Sequence, residues 1–394
     1  MKQYLVYLSV LLALSCSNNQ ESENIPVLKL DPDETEVVNL SSFISDVEFV
    51  KLDSGNEKYI GEVEKILITD ERIYVLDPYQ AIALYVYDRK GTLLFDISSY
   101  GEGPGEFVAP YDFEVNEATN EIVVFDANRN KLIFYEKEDG SFVREESLEF
   151  FPKRFKVVKN GYIFYMNNEI AGKVSQNFNV LITDKDLNII ERKLSIEKNR
   201  IDFHYFLPVH FLSNDNETYL TQAFYNTIYR YKKGEFNGHL TIDFGDKNLP
   251  DDFFDKDISP REWLEEFNNI TGAYNISNFY ETDDFIFFLY RYMDTHNYYF
   301  ASKANNKTLH TNKLKLNDDL NIGPLIKWPY SVWGNTFIWF QNPKELITFI
   351  DEKRASLSEA DWLKFTEENA KLVSFYSTLS EDDNPYLIFT KIEL

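Results

Sequence analysis

The sequence predicts an all-β fold: a six-bladed β-propeller of four-stranded antiparallel blades, closed by an N-terminal strand and carrying two helical insertions. Three observations predict it. A pattern of four short β-prone runs repeats at a fixed spacing. Aromatic residues are abundant, with 26 Tyr and 33 Phe against 3 Met and 5 Trp, and aromatic side chains favour packed sheet faces. One strand-like run near the start has no neighbour until it is placed beside the last run of the chain.

The repeat is clearest in two consecutive units. The first reads Val63–Ile68, Arg72–Asp77, Ala83–Asp88 and Gly91–Phe95; the second reads Tyr111–Val115, Glu121–Asp126, Lys131–Glu136 and Gly140–Val143. Asp77 to Asp126 is 49 residues, and Gly91 to Gly140 is also 49. Each unit has turn residues between its runs, so four strands per period describe one propeller blade. Looser copies follow: Gly161–Tyr165 with Val180–Thr183 and Ile189; Thr218–Thr221 with Thr227–Tyr231 and Leu240–Phe244; Phe285–Tyr290 with Tyr298–Phe300; and Asn335–Phe340 with Pro385–Thr390. Six is the count, and the period also admits five or seven.

The last unit lacks a fourth strand. Asp46–Leu52 alternates with period two, and pairing it beside residues 386–393 completes that blade and removes the exposed sheet edges. Ser259, Pro260 and Glu262 form an N-cap, N1 proline and N3 glutamate, opening a helix through Trp263 and Phe267. Ser358 with Asp361 opens another through Trp362, Phe365, Leu372 and Tyr376, and a shorter helix is expected after Pro343. The insertions span about 250–270 and 341–384, within one domain of residues 37–394.

The start of the chain reads as an address. Lys2 precedes an apolar run from Tyr4 to Leu14, too short to span a bilayer and of signal-peptide length. Cys16, the only cysteine, follows at once. This pattern resembles a bacterial lipoprotein signal, with residues 1–15 removed and Cys16 lipidated; the alternative is an ordinary cleaved signal. Residues 16–36 are polar and acidic and read as a disordered tether. The expected location is therefore the cell envelope, as an outer-membrane lipoprotein, periplasmic or surface-exposed, held by the N-terminal lipid alone. Without further cysteines the folded part has no disulfides.

The net charge of −25 repels nucleic-acid phosphates and anionic headgroups, so nucleic acid is not an expected partner. A glycan, a peptide or an envelope protein is compatible. No cofactor is predicted; a structural divalent cation is possible, for instance at the acidic run Asp251, Asp252, Asp255 and Asp257. The run more simply begins the Ser259 helix.

The segment Tyr100-Gly-Glu-Gly-Pro-Gly-Glu-Phe107, with Pro110 and Asp112, resembles a recurrent motif of six-bladed β-propeller lipoproteins of the bacterial envelope. Ile122–Asp126, Lys131–Tyr135 and Gly140 are similar to the pattern of NHL and TolB-type propellers. The resemblance covers roughly residues 60–150. It implies a propeller at the cell envelope and brings no catalytic set with it.

Several motifs have plainer readings. The glycines at 101, 103 and 105 lack the dinucleotide pattern, since Glu106 stands where glycine is needed, and fit a tight turn. Asp184, Asp186 and Asn188 begin like a calcium loop but continue with Ile189, as a hairpin turn would. His204 and His210 lie six apart with no third ligand. Trp328, Tyr330, Trp333, Trp339 and Phe340 suit inter-blade packing or sugar stacking. No catalytic residues and no metal ligands are assigned.

In a propeller, the loops after the fourth and second strands share one face. On that face the candidate binding residues are Glu102, Glu106, Asn128, Arg129 and Trp333, with both helical insertions. The expected function is a non-enzymatic binding or scaffold module. The alternative is a metal-dependent hydrolase or lyase in the axial funnel, to which first strands would contribute Asp112 and Glu114.

Overall fold

The computed structural model describes residues 25–394 apart from 56–57, 171–173, 175, 202, 206, 208–210, 215–216 and 323–328. The signal segment, Cys16, His210 and Trp328 fall outside the described residues.

Three strands precede the first repeat: β1 (Val27–Lys29), β2 (Val38–Asn39) and β3 (Ile44–Lys51). Blade 1 is β4 (Lys65–Ile68), β5 (Arg72–Asp77), β6 (Ala83–Asp88) and β7 (Leu93–Ile97). Blade 2 is β8 (Pro110–Asn116), β9 (Glu121–Asp126), β10 (Lys131–Glu136) and β11 (Phe142–Ser147). Blade 3 is β12 (Arg154–Val158), β13 (Gly161–Tyr165), β14 (Phe178–Asp184) and β15 (Ile189–Ser195). Blade 4 is β16 (Phe211–Asn214), β17 (Glu217–Leu220), β18 (Thr227–Lys232) and β19 (Glu235–Asp243). Blade 5 is β20 (Tyr274–Glu281), β21 (Phe285–Tyr292), β22 (Thr295–Ser302) and β23 (Thr308–Asn312), followed by β24 (Leu316–Asn317). Blade 6 is β25 (Ser331–Trp333), β26 (Thr336–Gln341), β27 (Tyr386–Ile392) and β3.

The ring closes as expected. β3 pairs antiparallel with β27, Tyr386 opposite Lys51 and Thr390 opposite Val47. The core is a set of layers between neighbouring blades, which explains why the strands read as nearly continuous apolar runs. In β5, Ile73 and Val75 face blade 6 beside Ile338 and Leu387, while Tyr74 and Leu76 face blade 2 beside Phe113 and Ile122. Every seam is filled in this way, the last by Phe287, Phe300, Phe337 and Trp339 between blades 5 and 6. Trp339 is therefore core, with its indole N–H donating to Thr390 Oγ1 at 2.8 Å.

Two expectations about the periphery are corrected. The tether does not extend to residue 36. β1 pairs in parallel with β19, making a fifth strand on blade 4, and β2 pairs with β24. The cause is local: Ile25, Val27, Leu28 and Leu30 are apolar within an acidic stretch, and β19 offers an unpaired edge for them. Leu28 and Leu30 pack against the seam between blades 4 and 5.

The helix after Pro343 is also the longest of the described helices. α1 (Pro260–Asn268) has the expected capping box, Ser259 and Glu262 each bonding the other's backbone. α2 (Pro343–Ser356) starts at the Asn342 cap. The Ser358 helix is broken at Asn369 into α3 (Glu359–Glu368) and α4 (Ala370–Tyr376). This second insertion leaves from the loop-rich face but packs along the flank of blade 6. Phe375 of α4 stacks on Phe49 of β3 at 5.1 Å, and Leu346, Ile350, Phe365 and Leu372 enter the seam between blades 5 and 6.

Candidate functional site

The innermost strands, β4, β8, β12, β16, β20 and β25, surround the axis, and their starts form the axial mouth on the loop-rich face. Two buried aspartates, Asp77 and Asp126, shape that face. Each ends the second strand of its blade, and neither is exposed to solvent. Asp77 accepts hydrogen bonds from Tyr79 and Gln80 in its own loop and from Gly61 and Glu62 in the loop entering the blade. Asp126 does the same with Asn128, Arg129, Val108 and Ala109. A carboxylate accepting several backbone N–H groups satisfies donors that a buried loop would leave unpaired. Asn384 plays this part in blade 6, accepting from Ile60 N at 2.9 Å and donating to Lys58 O at 2.8 Å.

The Gly101–Phe107 segment is a turn, not a phosphate cradle. Glu106 Oε2 accepts from Gly103 N at 2.8 Å and occupies the space a side chain at Gly101 would need. Gly105 has φ +74 and lies against the Phe142 ring, where a Cβ would collide. Arg129 donates to Glu106 O at 3.0 Å, so the two predicted loops are fastened together. Glu102 and Asn128 are exposed on the same rim.

Trp333 does not join them. It ends β25 at the hairpin to β26, on the opposite face, where its indole N–H donates to Asp70 Oδ1 at 3.2 Å. The Arg89 guanidinium lies over its ring at 4.1 Å. Its strand runs from the mouth to the far side, so a residue at the strand's end is carried away from the predicted cluster. Tyr330, at the other end of the same strand, is at the mouth.

The axis holds a charge network that the sequence reading half found. Lys65 Nζ lies 2.7 Å from Asp112 Oδ1 and 2.8 Å from Glu114 Oε1, and donates to Phe113 O at 2.6 Å. Lys156 Nζ holds the other oxygen of Glu114 at 2.7 Å. Asp112 Oδ2 accepts from Phe155 N at 3.1 Å. Arg154 pairs with Glu64 and lies over the Tyr111 ring at 4.4 Å. Burial opposes the charge on Lys65, but the facing Asp112 and Glu114 outweigh it and hold the amine above its ordinary range. Arg154 is raised in the same way, burial being outweighed by Asp112 and Glu64. Asp112 and Glu114 are the residues that the alternative reading assigned to the funnel. Sequence reasoning missed the cations because it looked for acids.

Around this network stand Tyr79, half exposed, and Tyr111 and Tyr330. The Tyr79 hydroxyl is 3.5 Å from Glu64 Oε2. Burial and the charges of Glu64 and Glu62 hold the Tyr330 phenol above its ordinary range. Exposed aromatic faces next to fixed charges can stack on a sugar ring or a peptide side chain and orient its polar groups.

The other candidates are dispersed. Asp255 accepts from Asn199 Nδ2 at 2.6 Å, while Asp251, Asp252 and Asp257 are exposed. Asp184 Oδ1 accepts from the Asp186 and Asn188 backbone, closing the expected hairpin turn. His204 is 3.9 Å from Glu169. Among the described residues no group of three or more His, Cys, Asp or Glu is placed to hold a metal ion.

Comparison with known proteins follows the fold. A crystal structure from Bacteroides fragilis, of a protein provisionally named as exported, is similar with a TM-score of 0.76 at 20% identity, over 94% of this chain and 100% of that one. A member of the DUF4221 family from Bacteroides vulgatus aligns with a TM-score of 0.48 at 10% identity, over 89% and 97% of the two chains. No curated protein sequence matches. The profile described as "Domain of unknown function (DUF4934)" matches residues 22–391, nearly the whole chain, and the chain belongs to that family.

Proposed function

We propose that this chain is a lipid-anchored cell-envelope propeller acting as a non-enzymatic binding or scaffold module. It takes a glycan, peptide or partner protein at the axial mouth and the loops around it. The observation that carries this reading is the charge state of the axis. Asp112 and Glu114 are each engaged by an ammonium group, so a cation would have to displace Lys65 and Lys156 to use them. Tyr79, half exposed beside this network, instead offers a stacking surface.

The address is supported from two sides. The apolar run Tyr4–Leu14 ahead of Cys16 has the form of a lipoprotein signal, and the similar B. fragilis protein carries a name that speaks of export. β1 runs parallel to β19, entering from the face opposite the mouth. A tether leaving that way points the mouth away from the membrane.

Metal analysis of the purified protein tests the reading, with a substoichiometric divalent cation content expected. A cation retained at one per chain would overturn it in favour of a metal-dependent hydrolase or lyase. On glycan and peptide arrays, Tyr79→Ala should lose the ligand and Trp333→Ala should keep it, because Trp333 is on the other face.

A further inference from the structure

A groove of about 350 Å³ lies on the flank of blade 6, remote from the axial mouth. Val47 and Phe49 of β3 form one wall, Leu320 and Ile322 another, and Glu367 and Leu372 at the α3–α4 junction the third. We propose that it is a docking site for an extended segment of a partner protein, basic and apolar by turns, which adds to β3 as a further strand.

β3 ends its sheet, with β27 on one side and, among the described residues, no strand on the other. The Val47 carbonyl is turned away from β27 and accepts from Lys371 Nζ at 3.5 Å, a long bond that an added strand would replace. Because outward and inward residues alternate in an antiparallel pair, Phe49 presents its backbone in the same direction. An open edge beside an apolar groove is the arrangement that strand addition uses: main-chain bonds give affinity and alternate side chains enter the groove. Blade 4 shows that this fold accepts such a strand. Its outer edge is covered by only three residues of β1, Val27 to Lys29.

Charge selects the occupant. Asp46, Glu367 and Glu368 rim the groove against Lys371. Glu367 is exposed and makes no ion pair among the described residues, and the partner of Glu368, Lys364, is 3.7 Å away and exposed. A second copy of this chain would bring the same acids face to face, at a net charge of −25 each. A segment with lysine or arginine on one side and valine or leucine on the other meets both the rim and the floor.

The test uses the hexapeptide Lys-Val-Lys-Val-Lys-Val with blocked ends, and Glu-Val-Glu-Val-Glu-Val as its control, titrated against the protein. The basic peptide should bind and slow hydrogen exchange at the backbone of Val47 and Phe49. The double variant Glu367→Lys/Glu368→Lys, at exposed positions that leave the melting temperature unchanged, should weaken it about tenfold. Val47→Pro should abolish it, and if that variant fails to fold, the charge reversal alone decides. Equal binding of the acidic peptide, unchanged binding by the double variant, or protection confined to other strands would overturn the proposal. So would a concentration-dependent dimer that the double variant abolishes, since the occupant would then be a second copy.

Discussion

Lys65 Nζ stands 2.8 Å from Glu114 Oε1, and the two residues are separated by one blade period, 49 positions. They lie on the innermost strands of blades 1 and 2, where Lys65 pairs with Leu76 and Asp112 with Phe125, so the register puts Lys65 and Asp112, rather than Glu114, in equivalent places. Asp112 shares the same ammonium group. Both carboxylates are almost fully buried, so this contact neutralises charge inside the molecule.

Removing the cation therefore costs more than removing the whole cluster. Lys65→Met should destabilise the protein by about 3–5 kcal/mol, because buried carboxylates lose their partner. Lys65→Met/Lys156→Met/Asp112→Asn/Glu114→Gln, which removes both cations with the acids they hold, should recover most of that loss. Urea denaturation of the three proteins makes the comparison. With the folded amine held above its ordinary range, its contribution is complete below about pH 10.4 and is lost as pH rises through the folded value.

Acid acts elsewhere. Glu281, on the innermost strand of blade 5, faces His239 Nε2 at 2.5 Å and Lys303 Nζ at 2.7 Å. Burial would raise its carboxyl, but the bonds from His239 and Lys303 prevail and lower it to about 2. A lowered carboxyl stabilises the fold above its unfolded value and stops doing so as pH falls through the folded one. The stability gap between the parent and Glu281→Gln, at no more than about 3 kcal/mol near pH 5, should close as pH falls between roughly pH 4.3 and 2. Denaturant titrations at stepped pH read this directly. A gap independent of pH would contradict it.

Asp77 and Asp126 make a matched pair for mutation. Each collects four backbone donors without exposure to solvent. Either aspartate replaced by alanine should cost about 2–4 kcal/mol, since charged hydrogen bonds are lost and buried N–H groups left unpaired. Asparagine keeps one acceptor oxygen and should cost less. Thermal melts of the four variants rank them, and exchange at Gly61 and Val108 should rise in the alanine variants alone.

The ring was legible because blades 1 and 2 carry its period on residues with structural work: the strand-ending Asp77 and Asp126, the turn glycines Gly91 and Gly140, and nearly continuous apolar strands. Closure by β3 followed from counting. Where copies drifted, the first strands of blades 3, 4, 5 and 6 escaped notice. β20 is the reason in blade 5: it carries buried Asn275, Ser277 and Asn278, with two register shifts against β21, so no period-two pattern survives. The site was legible only in part. Glu106 and Arg129 do meet, but Trp333 was assigned by its residue type rather than by its place on the strand. The cations on the axis had a signal that went unread, namely Lys65 within the first strand of the clearest repeat.

The least expected element makes the last prediction. β1 is short, yet it covers the outer edge of β19, and Gly238 leaves the space into which Ile25 packs. Thr241 N donates to Pro26 O and Leu30 N to Asp243 O, both at 2.9 Å, so the segment is bonded on both sides of the strand pair. A protein beginning after Leu30 should lose about 1–2 kcal/mol from the apolar contacts of Ile25, Leu28 and Leu30, and expose the β19 edge to other chains. Hydrogen exchange should quicken at Thr241 and Asp243 while blade 1 stays protected, and light scattering should reveal self-association at high concentration. Leu28→Asp in the full chain should repeat the exchange effect. If both proteins behaved like the parent, β1 would be an ornament of the edge rather than its cover.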